Sequence, residues 1–191
     1  SLRKDIADNK KMLVLINPPY AEAGNTLGKE SKGEVAKTNL ATTAMSEYGK
    51  ASNELFTQFL VRISKEIPSA TIAMFSKLKY ITAPNFEKFR QIWKANYLGG
   101  FIVHSKAFEG LNGNFPIGFL VWKTNQSLKQ TEITEIITEV LDKNANAIGE
   151  KKFYNLPNNT FLNVWVKRPR INKVDAIPLK NAVTPATANI R

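Results

Sequence analysis

Residues 11–20 read KMLVLINPPY. Met12 to Ile16 is an unbroken apolar run, the pattern of a strand buried on both faces of a parallel sheet. Asn17-Pro18-Pro19-Tyr20 ends it abruptly. Each proline fixes its φ and lacks an N–H donor, so a hydrogen-bonded ladder stops here. In an open α/β sheet the carboxyl end of a strand faces the ligand crevice. There the Asn17 side-chain oxygen and the Pro18 carbonyl make a stiff pair of acceptors, matched to the two in-plane hydrogens of an exocyclic aromatic amine. Accepting both hydrogens draws the nitrogen towards sp³ and raises its nucleophilicity, while Tyr20 offers a face to a flat ring. The plainer alternative is a strand-to-loop stop, because Pro-Pro is common in turns.

Residues 21–50 form a long polar stretch with Gly24, Gly28, Gly33 and Gly49. Loops of that length inside a compact domain are usually functional or mobile. Ser52-Asn53-Glu54 then supplies a cap and a first-turn acid. Leu55, Phe56, Phe59, Leu60, Ile63 and Ile67 recur at helical spacing until Pro68 stops the helix. A second strand is expected over Ala70 to Phe75. A second helix is expected over Phe86 to Tyr97, with Phe86, Phe89, Trp93 and Tyr97 on one face and Gly99-Gly100 as its end. Strands at Phe101 to His104 and Phe115 to Trp122, joined by SKAFEGLNGN, read as an antiparallel pair. The succession strand, helix, strand, helix, strand, strand matches the second half of a doubly wound α/β sheet.

Residues 131–156 fit two structures. Ile133, Ile136, Ile137, Val140 and Leu141 suit a helix, whereas the Thr and β-branched content and the turn-like stretch from Asp142 to Gly149 suit a hairpin, which is the expectation. The division expected is a catalytic portion over residues 1–125 and a β-rich extension over residues 126–191.

Composition narrows the chemistry. With 43% hydrophobic and 23% charged residues the chain reads as a soluble globular protein. It has no apolar run of about 18 residues and no charged-then-apolar leader, so the expectation is a cytoplasmic protein without a membrane partner. The absence of cysteine excludes thiolate zinc sites and a Cys nucleophile, and His104 is the one histidine, so no metal centre or hydrolase triad is expected. There is no Walker loop. Lys and Arg number 27 against 16 acids, a net charge of +11. Eight basic residues and one acid, Asp175, lie between Lys151 and Arg191. An excess this uneven favours a nucleic-acid face over a merely solvated one. Lys167, Arg168 and Arg170 are candidate phosphate contacts in the tail. Lys77 and Lys79, beyond the second strand, are further candidates, although surface lysines are the commoner explanation.

INPPYAEAG, with the elements that follow it, resembles the S-adenosylmethionine-dependent amino methyltransferases, in particular the adenine-N6 DNA methyltransferases of restriction-modification systems. The resemblance spans about residues 10–125. It implies that Asn17, Pro18, Pro19 and Tyr20 hold a flipped-out adenine in double-stranded DNA, and that the methyl group passes directly from sulfonium to nitrogen. Flipping is required independently, since the amino nitrogen is closed to in-line attack within a duplex. The family also stacks an aromatic from the loop between its last two strands on the base. Phe108 is the candidate here, with Phe115 second; Phe108 reads equally as a core residue beside a turn.

The family binds its cofactor with a Gly-rich turn after the first strand and an acid after the second. Sixteen residues precede Asn17 and hold no such turn, and Gly110-Leu111-Asn112-Gly113 is too short and opens no helix. The expectation is therefore a fragment. Its cofactor half lies upstream of Ser1, and residues 126–191 begin a target-recognition region. It is expected to be inactive alone and either to self-associate through the bare edge of Met12–Ile16 or to aggregate. Two alternatives stay open. One is an amino methyltransferase acting on a protein glutamine or on guanine N2 of ribosomal RNA; the glutamine enzymes continue into an Ile and a Glu-Pro pair that YAEAGNTLGKE lacks. The other is a basic, non-catalytic nucleic-acid-binding module.

Overall fold

The structure is a computed structural model that describes residues 1–19, 38–109, 113–124, 133–155, 160 and 164. The chain divides into two compact units, Ser1–Asn158 and Asn159–Arg191. Only Thr160 and Val164 of the second unit are described, both exposed.

The first unit is a mixed α/β structure. A short helix α1 (Leu2–Ala7) precedes strand β1 (Leu13–Ile16). After α2 (Asn39–Thr42) and a 3-10 segment come α3 (Leu55–Glu66), β2 (Thr71–Lys77), α4 (Lys79–Thr82) and α5 (Glu87–Ile92). Strands β3 (Ala95–His104), β4 (Pro116–Thr124), β5 (Glu135–Leu141) and β6 (Ala147–Tyr154) follow. They form a six-stranded sheet in the order β1-β2-β4-β3-β5-β6. β1 and β2 are parallel, β4 runs antiparallel to both β2 and β3, and β5 is parallel to β3. Residues 135–154 are a hairpin, with Glu135 opposite Tyr154 and Asp142 closing the turn. No helix among the described residues is long and apolar enough to cross a membrane.

One sheet face carries the core. Ile72 and Met74 of β2 and Leu120 and Trp122 of β4 pack against Phe56 and Leu60 of α3 and Phe89 of α5, all fully buried. The other face bears a ladder of rings. Phe119 stands 4.7 Å from Phe75 and 5.2 Å from Phe101, centroid to centroid.

Three local readings are corrected. The second helix ends at Ile92, because Trp93 turns extended (φ −74°, ψ 115°) and β3 begins at Ala95. Trp93 and Tyr97 still share a neighbour, each with its ring 5.2 Å from that of Trp122. Their spacing mimics a helix face, but it is produced by a helix-to-strand turn. Gly99-Gly100 then lies within β3, directly after a bulge at Leu98, and pairs with Val121 and Leu120. Gly100 has φ +155°, and a Cβ there would sit 2.2 Å from the Phe119 carbonyl oxygen, so the approach of β4 requires glycine.

The buried stripe of α3 is also turned relative to its apolar pattern. Thr57 and Ser64 are buried while Phe59 is 42% exposed. Both hydroxyls are satisfied locally: Thr57 donates to the Glu54 carbonyl, and Ser64 donates to the Leu60 carbonyl while accepting from the Trp93 indole at 2.9 Å. Burial of polar groups is tolerated when they are bonded in this way.

Finally, β1 is buried on one face only. Val14 and Ile16 pack against the core, whereas Leu13 and Leu15 are each 68% exposed, and β1 is an edge strand of the described sheet. An unbroken apolar run does not by itself say whether both faces are covered.

Candidate functional site

The pairing registers bring one set of chain ends to a common edge of the sheet. Ile16 lies beside Met74, Lys77 opposite Ile117, and His104 opposite Pro116. The carboxyl ends of β1, β2 and β3 thus meet the start of β4. Asn17, Pro18, Pro19, Lys77, Lys79, Phe108 and Phe115 all follow from that edge. Tyr20, Lys167, Arg168 and Arg170 lie outside the described residues.

Asn17 is exposed at the tip of β1, Pro18 is buried and Pro19 is exposed. Pro19 lines a cavity of about 430 Å³ together with Thr38, Leu40, Leu55, Gln58 and Phe59. The Thr38 hydroxyl donates to Gln58 Oε1 at 2.7 Å, and Gln58 Nε2 donates to the Ser52 carbonyl at 2.8 Å. The start of α3 is thereby tied to the wall beside Pro19. The exposure of Phe59 is explained by this cavity, since its ring forms part of the lining.

The loop between β3 and β4 is held at its base by Ser105. Its N–H donates to the Phe115 carbonyl at 2.9 Å, and its hydroxyl donates to the Gly113 carbonyl at 2.7 Å and accepts from the Phe115 N–H at 3.3 Å. The Phe108 N–H donates to the Ser105 carbonyl at 3.0 Å. Phe108 is half-buried, its ring edge-on to Phe75 with centroids 5.4 Å apart. It therefore joins the ring ladder of the open face. Lys77 Nζ lies 6.0 Å from the centroid of the Phe115 ring, at the outer limit of a cation–π contact. His104 is exposed, and its Nδ1 accepts from the Lys106 N–H, which caps a short 3-10 turn.

Lys79 is paired. Its Nζ lies 2.7 Å from Oε1 of Glu54, a residue 2% exposed. The sequence reading gave Glu54 the role of a first-turn acid; it occupies the N-cap of α3 yet makes no side-chain cap bond. The role of Ser105 and the pairing of Glu54 with Lys79 are what the sequence did not reveal at this edge. Neither leaves a one-dimensional signal, because their partners lie 8 and 25 positions away. Among the described residues, no cluster of three or more His, Asp or Glu is placed to hold a metal ion.

No family model matches the chain, and no match is found among curated proteins. Solved structures of restriction-modification enzymes are distantly similar. One is the ATP-dependent Type ISP restriction-modification enzyme LlaBIII bound to DNA, 13% identical, with a TM-score of 0.46 over 74% of this chain and 10% of that one. The DrdV–DNA complex is 12% identical, with a TM-score of 0.44 over 78% of this chain and 16% of that one. The M protein of the Type I restriction enzyme EcoKI is 13% identical, with a TM-score of 0.38 over 71% of this chain and 26% of that one. The chain thus spans about a tenth to a quarter of the length of these structures.

Proposed function

We propose that this chain carries the amino-group-holding part of an adenine-N6 DNA methyltransferase of the restriction-modification type, whose methyl donor is S-adenosylmethionine. The observation that carries the reading is the placement of Asn17-Pro18-Pro19. The motif leaves a parallel strand at its carboxyl end, with Asn17 exposed and with Phe108 on a loop at the same sheet edge. The strand order β1-β2-β4-β3 supports reading the sheet as the C-terminal half of a Rossmann-like class I methyltransferase sheet.

In this reading Asn17 Oδ1 and the Pro18 carbonyl accept the two amino hydrogens of a flipped adenine. Two fixed proline φ angles hold the acceptors in place before the base arrives, so little reorganisation accompanies reaction. Tyr20 and Phe108 take the two faces of the ring. Lys77, Lys79, Lys167, Arg168 and Arg170 neutralise phosphates, and the net charge of +11 supports a polyanionic partner. Residues 126–191 belong to a target-recognition region.

The described residues do not fit the cofactor. None of their five positive-φ glycines belongs to a glycine-rich turn that opens a helix: Gly49 lies in the 3-10 segment Ser46–Asn53, Gly99 and Gly100 lie inside β3, Gly113 precedes β4 and Gly149 lies in β6. The residues here serve the acceptor amine, and the cofactor is held by other elements.

The test is ligand binding by saturation-transfer NMR with adenosine. Signal is expected for the intact chain, and none for Asn17→Ala or for purine riboside, which lacks the amino group. Equal signal from either would remove the amino group from the reading. A basic module without chemistry, favoured by the charge alone, would bind duplex DNA in a salt-dependent way and give no adenosine signal even from the intact chain.

A further inference from the structure

Burying a carboxylate is costly unless both oxygens are satisfied. Glu54 is 2% exposed, and while Oε1 meets Lys79, Oε2 has no hydrogen-bond partner among the described residues. The helix dipole at the N-cap of α3 offsets part of that cost. Glu54 makes no cap bond to α3, whose start is instead tied to the preceding segment by Thr57, which donates to the carbonyls of Ala51 and Glu54, and by Gln58, which donates to that of Ser52. Among the described residues, the Glu54 side chain is committed to Lys79 alone.

Its location gives that commitment a purpose. Lys79 follows β2 at the sheet's carboxyl edge, with 39% of its side chain exposed. Leu55, adjacent to Glu54, lines the same cavity as Pro19. We propose that Glu54 is a positioning residue: from the buried side it engages one donor of the Lys79 ammonium, aiming the cation at a phosphate of the strand whose base reaches Asn17. This rests on the nucleic-acid reading above. A free lysine loses rotamer entropy when it settles on a phosphate, and a lysine already anchored has lost it beforehand.

The sign of one substitution separates positioning from bulk charge. Glu54→Gln keeps the shape and an acceptor but removes a negative charge, so net charge alone raises DNA affinity. Positioning lowers it, because the neutral acceptor holds the ammonium less firmly than the charged one.

The experiment is fluorescence anisotropy of a labelled duplex of mixed sequence with the full chain, from about 50 to 200 mM salt. Lys79→Ala is expected to shallow the slope of log K against log salt by about 0.9 and to weaken binding roughly eightfold at about 0.1 M salt. Glu54→Gln weakens binding roughly threefold, and causes no further loss when added to Lys79→Ala, where only the small gain from net charge is left. Glu54→Asp, which keeps the charge but withdraws it by one methylene, lowers affinity in the same sense and serves where Glu54→Gln fails to fold. Tighter binding by Glu54→Gln, an equal loss in the Lys79→Ala background, or an unchanged slope for Lys79→Ala would overturn the proposal. A wild-type chain that ignores duplex DNA at low salt overturns the nucleic-acid reading, and this one with it.

Discussion

The indole N–H of Trp122 donates to the hydroxyl of Tyr80 at 3.0 Å, between two fully buried residues. The rings of Phe56, Phe89 and Trp93 enclose Tyr80, with centroids 5.7 to 6.4 Å away. Removing the hydroxyl as Tyr80→Phe leaves a buried indole donor without its acceptor. A loss of roughly 1–3 kcal/mol in unfolding free energy is expected from urea titration.

The same hydroxyl gives the fold an alkaline limit. Burial is the largest cause of a Tyr80 pKa raised well above the ordinary phenol value, with Trp122 bonding opposing it. The folded state therefore keeps its proton at pH values where the unfolded chain gives it up. This stabilisation of the protonated fold is intact below pH about 10 and drains away above it. The urea midpoint is expected to fall as pH rises above about 10, and to fall less in Tyr80→Phe. An equal fall in both would remove Tyr80 as the cause.

Gly100 and Gly99 differ in what surrounds them. A Cβ at Gly100 meets the Phe119 carbonyl and Leu120 Cα, whereas one at Gly99 meets nothing within 4 Å. Gly100→Ala should prevent β3 and β4 from pairing in register and abolish the cooperative thermal transition. Gly99→Ala, strained only by its φ of +142°, should cost about 1–3 kcal/mol and still fold.

At the hairpin turn, the Asp142 carboxylate accepts from the N–H groups of Asn144 and Asn146. The backbone bond from Asn146 is the largest cause of a lowered Asp142 pKa. The turn is therefore supported above the ordinary carboxylate range and loses that support as pH falls through the lower folded value. NMR titration should place Asp142 below the ordinary carboxylate value, and Asp142→Asn should remove the acid dependence of amide exchange at Asn144. An unshifted titration would contradict the bonds.

Much of this was legible because it is local. The apolar run ending at Asn17, the helix stopped by Pro68 and the hairpin around Asp142 each declare themselves within a dozen residues. What failed was decided at a distance. Trp93 and Tyr97 sit on helical spacing, yet both answer to Trp122 in another strand. Gly100 resembles a helix stop because the backbone it must clear, at Phe119, is 19 positions away. The open side of β1 was unreadable for a related reason, since Leu13 and Leu15 look alike whether or not something covers them. At the candidate site, Asn17 could be singled out from its own tetrapeptide, but Glu54 became visible only beside Lys79.

Ser105 has a consequence for how this molecule can change. Because one hydroxyl and one amide fasten Gly113 and Phe115 to the end of β3, the sheet does not depend on what is spelled between those anchor points. Lengthening that segment adds little closure entropy once its base is fastened. Selection could rewrite the residues around Phe108, and with them whatever the molecule prefers to hold, at small risk to the architecture beneath.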